Sequence, residues 1–119
     1  MIKKIEILKN ILKIICDKEN NSFKFENDIQ QSIIKNNYIF VLIKSRDVNR
    51  NVYCLNESGN IIWQIEDPDL KRPNKITTDS PFTWIQFVDD FKLQAFNWDS
   101  HKYEVDINTG LLKNPVWTK

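Results

Sequence analysis

The sequence has few of the residues on which several kinds of functional site depend. It contains one His, two Cys, two Gly and four Pro among 119 residues. A single imidazole excludes a zinc site built from several His ligands, and two glycines are too few for a glycine-rich phosphate loop. Nucleotide-dependent chemistry and a His-Cys metal cluster are therefore disfavoured, and we expect no cofactor.

Long apolar runs are also missing. No segment approaches the roughly 18 apolar residues that span a bilayer, and lysines interrupt the first 15 residues, unlike the apolar core of a secretory signal. We expect a cytoplasmic protein with no membrane partner. In that reducing compartment, Cys16 and Cys54 are predicted to be buried free thiols instead of a disulfide.

The charges nearly balance, at 17 basic and 16 acidic side chains. Residues 1–50 hold ten basic and six acidic side chains, whereas residues 51–119 hold seven and ten. Nucleic-acid binding favours aromatic rings interleaved with basic residues, but the charges around the tryptophans are mainly acidic. We therefore expect no nucleic-acid partner.

Period-two alternation dominates the second half of the chain. Residues 101–107 place Tyr103 and Val105 on one face and charged residues on the other, as in a half-buried strand. Residues 52–56 and 61–65 are two more strand segments. The only two glycines, Gly59 and Gly110, follow strands in the same local pattern, which predicts two similar hairpins.

The first half is less uniform. Tyr38–Ile43 is apolar on both faces and follows an Asn-rich turn, which predicts a central strand. The apolar residues of segment 2–16 also fit helical spacing. We favour two short strands that turn at Lys9-Asn10, because the chain has one Ala and many β-branched residues.

These patterns predict an all-β fold. We expect one domain over residues 1–119, an antiparallel meander of about nine or ten strands that forms a sandwich or barrel. The segment 67–81 holds three of the four prolines and is the long connection. Long loops in small domains often carry function.

The first glycine hairpin resembles the outer hairpin of a blade in quinoprotein or WD-like β-propellers. The residues that carry this resemblance are Tyr53, Leu55, Asn56, Gly59, Ile61, Ile62 and Trp63. The second copy has Lys113 in place of the Trp. A blade needs about 40 residues and a ring needs at least four blades, so a closed propeller in one chain is excluded.

Residues 51–110 also resemble a family of small, free-standing bacterial proteins that are mostly uncharacterised. The matching pieces are residues 51–55, 59–66, 81–87 and 97–98. The resemblance implies an all-β fold, and it supplies no catalytic residues to carry over to this chain. Some small proteins of this kind serve as immunity partners of polymorphic or contact-dependent toxins, which makes a toxin-binding inhibitor the leading hypothesis.

Under this hypothesis, acidic side chains face a basic toxin site and one Trp is the apolar anchor. The predicted partner-binding residues are Glu66, Asp67, Asp69, Asp79, Trp84, Asp89 and Asp90. For the densest acidic group, Glu66, Asp67 and Asp69, a solvated edge, a partner contact, and a cation site or a pair of catalytic acids remain open. Of the other tryptophans, Trp63 and Trp98 are each expected to have an exposed polar neighbour in the strand and to pack in the core or against a neighbouring strand.

Three other functions remain open, and one of them is a non-enzymatic structural role. A small-ligand or carbohydrate-binding module would use exposed Trp side chains on one sheet face. An enzyme would have to use His101, the only imidazole, with Asp99 in a deep pocket. No Gly-x-Ser-x-Gly segment accompanies this His. We therefore expect a protein that binds a partner and is not an enzyme.

Overall fold

The computed structural model describes residues 1–68, 80–98 and 101–117, with the backbone alone at Asn114, Val116 and Trp117. These residues form three antiparallel sheets in which strand order follows chain order. Sheet A contains β1 (Ile2–Leu8), β2 (Ile11–Cys16) and β3 (Asn20–Lys24). Sheet B contains β4 (Ile29–Lys35), β5 (Tyr38–Ile43), β6 (Val52–Leu55) and β7 (Ile61–Gln64). Sheet C contains β8 (Phe82–Phe87), β9 (Leu93–Asn97), β10 (His101–Val105) and β11 (Leu112–Trp117).

Sheet B is the middle layer of the stack. On one face, Ile39 and Val41 of β5 pack with Leu12 of sheet A in one apolar cluster. On the other face, Phe40 and Leu42 join a larger cluster with sheet C. Every residue of β5 after the first is buried, which confirms the prediction of a central strand.

The predicted turns are confirmed. Asn36 and Asn37 have φ angles of 53° and 64°, as a two-residue turn between β4 and β5 requires. Lys9 has a φ of 55° in the turn between β1 and β2, so segment 2–16 forms two strands and no helix. Gly59 and Gly110 have φ angles of 82° and 77° in the two similar hairpins.

Buried amide side chains join sheet B to sheet C. The Nδ2 of Asn51 donates to the carbonyls of Ile43 and Phe82, both at 2.9 Å, and its Oδ1 accepts from the N–H of Phe82 at 2.8 Å. Asn49 accepts from the N–H of Ser80 through Oδ1. These bonds fix where the chain enters β8, because a buried backbone group must find a partner.

The fold class is confirmed. The described residues form eleven strands, close to the expected nine or ten, in one domain of stacked open sheets that do not close into a barrel. Cys16 and Cys54 are both free thiols, as predicted, but only Cys54 is buried and Cys16 is half-buried. Burial raises the pKa of the Cys54 thiol to about 12. Among the described residues, no helix is long and apolar enough to cross a bilayer.

Candidate functional site

The outer face of sheet C carries exposed aromatic side chains. In β8 and β9 the inward positions, such as Ile85 and Ala95, are fully buried against sheet B. The alternate positions point outward, and there Trp84 of β8 lies directly opposite Phe96 of β9. Trp98 follows Phe96 by two residues, so the alternation along the strand places it on the same face of the sheet. We call Trp84, Phe96 and Trp98 the aromatic face.

The two indoles of the aromatic face are largely accessible. Trp84 is 52% exposed and Trp98 is 73% exposed. The Trp84 Nε1 donates to Oε1 of Gln86 at 3.2 Å, which orients the ring on the sheet. Exposed apolar side chains that neighbour one another on a sheet are candidates for an interaction surface, and Trp is among the commonest anchors of protein interfaces.

Polar groups border the aromatic face on the same sheet. The side chain of Gln86 donates to Gln94 at 3.1 Å, and Lys113 forms an ion pair with Glu104 at 3.3 Å. Lys102 lies directly opposite Phe96 in β10. An apolar centre with a paired polar border is the composition of a protein-binding patch.

A cleft adjoins the aromatic face at Trp98. It encloses about 390 Å³ and is lined by Ser45, Arg46, Pro81 and Trp98. The loop between β5 and β6 therefore brings a guanidinium to the indole end of this surface. A partner that covers Trp98 can place an acidic side chain beside Arg46.

Asp89 and Asp90 lie in the turn between β8 and β9. Oδ1 of Asp89 accepts the N–H groups of Phe91 and Lys92, both at 2.8 Å, so this carboxylate stabilises the turn itself. Asp90 forms an ion pair with Lys35 of sheet B at 2.9 Å, and this contact lowers the pKa of Asp90. Both acids are exposed, and Phe91 beside them is 74% exposed.

Glu66 and Asp67 are tied into the structure at another place. Oε1 of Glu66 accepts the N–H of Leu112 at 2.9 Å, and Oδ1 of Asp67 accepts Nδ2 of Asn49 at 3.2 Å. Both are half-buried in a notch of about 250 Å³ that also holds Arg50. The Glu66 bond attaches the end of sheet B to sheet C, and the Asp67 bond ties the segment after β7 to the β5–β6 loop.

The predicted acidic residues therefore fall into two groups. The notch of Glu66 and Asp67 lies against Thr109 and Gly110, whereas a cleft of about 520 Å³ beside Phe91 lies against Ile107 and Asn108. The turn between β10 and β11 separates them. The other two predicted acids, Asp69 and Asp79, lie outside the described residues.

The residues considered for catalysis and metal binding are placed only in part. His101 begins β10, is half-buried, and its N–H donates to Oδ1 of Asn97 at 3.0 Å. Asp99, its proposed partner, lies outside the described residues. Within the described ranges, no group of three His, Cys, Asp or Glu side chains is arranged to hold a metal ion.

One family model matches nearly the whole chain. It covers residues 2–117 and is described as a domain of unknown function, DUF7957. The chain belongs to the DUF7957 family. No curated protein matches it.

Two solved structures of computationally designed proteins have a similar fold. The likeness to Ika8 has a TM-score of 0.58 at 14% identity and covers 99% of this chain but 37% of that one. The likeness to Ika4 has a TM-score of 0.60 at 13% identity, over 100% of this chain and 74% of that one. The DUF7957 chain thus spans little more than a third of the length of Ika8. At these identities the comparison concerns the fold alone.

In this DUF7957 chain, one part of the site differs from the sequence-based expectation. Trp84 reaches the surface and Trp63 is buried, as predicted. For Trp98 the expected exposed neighbour is wrong, because Asn97 is only 4% exposed whereas Trp98 itself is 73% exposed. The alternation of β9, continued one residue past its end, would have placed Trp98 on the face of Phe96.

Proposed function

We propose that the chain is a protein-binding module that acts as an immunity-type inhibitor. It binds a bacterial toxin domain in the cytoplasm and covers the toxin's functional surface, without performing a reaction. The observation that carries this proposal is the aromatic face, where two exposed indoles flank one Phe on an outward sheet surface.

The aromatic face is built on a rigid support. Directly behind Trp84 and Phe96, the inward residues of β8 and β9 belong to the largest apolar cluster of the protein's described residues. Binding through such a surface requires little ordering of the backbone, which lowers the entropic cost of association. A preformed patch suits occlusion of a partner better than a mobile loop does.

The two ends of the aromatic face carry opposite charges. Asp89 and Asp90 lie at one end of β8, whereas Arg46 adjoins Trp98 near the other. A complementary partner places basic side chains near the two acids and an acidic side chain near Arg46. Such an arrangement accelerates encounter and fixes orientation more than it raises affinity.

The test uses the C-terminal domain of the large secreted protein expected from a neighbouring gene. Its dissociation constant is measured for the native chain and for the double variant Trp84→Ala/Trp98→Ala. We expect about a hundredfold weaker binding by the double variant, since buried Trp anchors typically contribute 2 kcal/mol or more. The matched control is Ile61→Ala, which removes an exposed apolar side chain of β7 in sheet B, 43% exposed, outside both the aromatic face and β1.

Two results would reject the proposal. One is the absence of binding by the native chain. The other is a double variant that binds within about threefold of the native chain while its unfolding midpoint is unchanged. Charge reversal in Asp90→Lys supplies a further readout, because it should slow association at low salt and leave dissociation nearly unchanged.

A carbohydrate-binding role is the second candidate, because Trp84 and Trp98 lie on the same sheet face. Exposed indoles on one face can stack on sugar rings. Titration of the native chain with soluble polysaccharides, followed by tryptophan fluorescence, separates the two functions. A saturable change that the double variant lacks would favour the carbohydrate module over the inhibitor.

A further inference from the structure

Among the described residues, sheet A has three strands whereas sheets B and C have four each, and strand direction identifies the missing one. The N–H of Ile2, at the start of β1, donates to Oδ1 of Asn37 in the β4–β5 turn at 2.8 Å. At the other end, the carbonyl of Lys9 accepts from the N–H of Ile29 at 2.9 Å, where β4 begins. Strand β1 therefore runs opposite to β4 and in the direction of β5.

The packing of the glycine turns also shows which strands of sheet A correspond to which strands of sheet B. The β10–β11 turn lies on sheet B, where a Cβ at Gly110 would be 2.7 Å from the ring of Trp63 in β7. The β6–β7 turn lies on sheet A, where a Cβ at Gly59 would be 3.6 Å from Cβ of Asn21 in β3. Strand β3 therefore corresponds to β7, and β1 to β5. The strand without a counterpart in sheet A is β4 in sheet B and β8 in sheet C.

The edge of β1 faces this unfilled position. Leu8 and Ile11 flank a two-residue turn and form a hydrogen-bonded pair. Because the pattern alternates, Lys4 and Glu6 direct their backbone groups towards β2. The N–H and C=O groups of Ile5 and Ile7 point the other way, to where a fourth strand would lie.

The backbone of Ser32 in β4 is a second place where a contact made in sheet C has no counterpart among the described residues. In sheet C, the edge of β8 is held by Gln31 of β4, whose Oε1 accepts the N–H of Ile85 at 2.9 Å and whose Nε2 donates to its carbonyl at 2.5 Å. Strands β4 and β8 share a register shift after their first residue, which aligns Ser32 with Ile85. Within the described part of the chain, no side chain holds the Ser32 backbone in this way.

Register then specifies what the missing strand requires. Ile5 lies in one row with Ile14 and Asn21, just as Phe40 lies in one row with Cys54 and Trp63. Ile5 thus corresponds to Phe40, and Ile7 to Leu42. In sheet B these two residues are paired with Ile33 and Gln31 of β4.

We propose that the edge of β1 binds an extended segment of a partner polypeptide, which completes sheet A as an antiparallel fourth strand. The segment carries an amide side chain opposite Ile7, which reaches the backbone of Ser32, and an apolar residue opposite Ile5. On the outward face, Glu6 favours a basic residue and Lys4 an acidic one, since directly opposed charges of opposite sign stabilise a sheet. Main-chain hydrogen bonds supply the affinity, and the amide and the charges supply the selectivity.

This site is distinct from the aromatic face, so the two proposals can fail independently. The probe is a capped synthetic peptide with the sequence of residues 28–36, which contains β4 and supplies the Gln and the apolar residue in the required spacing. It is titrated into the full chain, and the backbone amide signals are followed by NMR.

We expect the amide signals of Ile5, Ile7 and Ser32 to shift and the exchange of Ile5 and Ile7 to slow. The indole signals of Trp84 and Trp98 should not move. The matched controls are two N-methylated peptides. Methylation at the position of Ile33 removes a ladder hydrogen bond and should weaken binding about tenfold, whereas methylation at Ile34, which faces away, should change it less than about twofold. A peptide with Ile34→Glu, which places a carboxylate opposite Lys4, should bind more tightly.

Two outcomes would overturn the proposal. One is that Ile5 and Ile7 remain unshifted at millimolar peptide, or that both N-methylated peptides bind equally well. The other is that the peptide perturbs Phe40 and Leu42 instead, which would mean that it replaces β4 in sheet B.

Discussion

The two faces of sheet B differ in how completely they are covered. Towards sheet C, a four-stranded partner supplies the larger apolar cluster, and Asn51 and Gln31 bond across the junction. Towards sheet A, the partner has three strands and the apolar cluster is smaller. Similar hairpins therefore pack on both faces of sheet B, but the sheet on one face has four strands and the sheet on the other has three. On this account, sheets B and C form the scaffold, and the edge of β1 in sheet A is the proposed binding strand.

The two glycine turns give the largest expected contrast. Both glycines need a positive φ, but only Gly110 also lies against a buried indole. A Cβ at Gly110 would be 2.7 Å from the nearest ring atom of Trp63. We expect Gly110→Ala to lower the free energy of unfolding by about 4 kcal/mol, from backbone strain and overpacking together. Gly59→Ala carries only the strain, about 1–2 kcal/mol. Chemical denaturation measures both, and equal losses would contradict the proposed asymmetry of the two junctions.

The next largest contrast is in the stability lost when the amide side chain of Asn51 or of Asn10 is removed. Asn51 is fully buried and makes three side-chain hydrogen bonds, two of them across the B–C junction to Phe82 and one to Ile43 within sheet B, so Asn51→Ala leaves three buried backbone groups without partners. We expect a loss of about 3 kcal/mol. Asn10 makes one side-chain bond, to the carbonyl of Phe25, and Asn10→Ala should cost about 1 kcal/mol. The midpoints of urea unfolding, measured at constant m-value, compare the two variants. A larger loss of stability in Asn10→Ala than in Asn51→Ala would contradict the prediction.

The accessibility of the two thiols gives the next contrast. Cys54 is buried in the B–C cluster, and burial raises the pKa of its thiol to about 12, so about one molecule in ten thousand carries the thiolate at pH 8. Cys16, in sheet A, is half-buried. A thiol reagent should label one cysteine in the native chain and both in denaturant. Native Cys16→Ser protein should resist labelling, and rapid reaction of its Cys54 would show that the B–C junction opens readily.

The ion pair between Lys35 and Asp90 gives the smallest expected effect. It joins sheet B to the β8–β9 turn and lowers the pKa of Asp90, although both groups have access to water. A lowered carboxyl pKa contributes stability above its unfolded value, and this contribution is lost as the pH falls through the folded value. The stability difference between the native chain and Asp90→Asn should therefore shrink between about pH 5 and pH 2. A difference that persists at pH 2 would assign the effect of Asp90 to something other than its charge.

Much of the fold could be predicted from local pattern. Alternation and turn chemistry predicted β10, the two glycine hairpins and the turn at Lys9, because those signals lie within a few neighbouring residues. Strand β3 was not predicted, since its sequence of Asn, Ser and Lys around one Phe has weak strand propensity and depends on pairing with β2.

The site could be predicted less completely, because it depends on contacts between distant segments. The exposure of Trp84 was predicted. The pairing of Trp84 with Phe96 depends on the register of β8 and β9, and the structural roles of Glu66 and Asp67 depend on contacts with Leu112 and Asn49. No periodicity in the sequence encodes such distances. The unfilled strand position emerges only when the three sheets are compared.

Residue-resolved hydrogen exchange of the isolated native chain tests most directly whether sheet A is open at β1. We predict alternation along this strand: the amides of Ile5 and Ile7 exchange rapidly, those of Glu6 and Leu8 exchange slowly, and all of β5 is protected. If Ile5 and Ile7 were as protected as Glu6 and Leu8, the edge of β1 would already be covered and the account of an open strand position would be wrong.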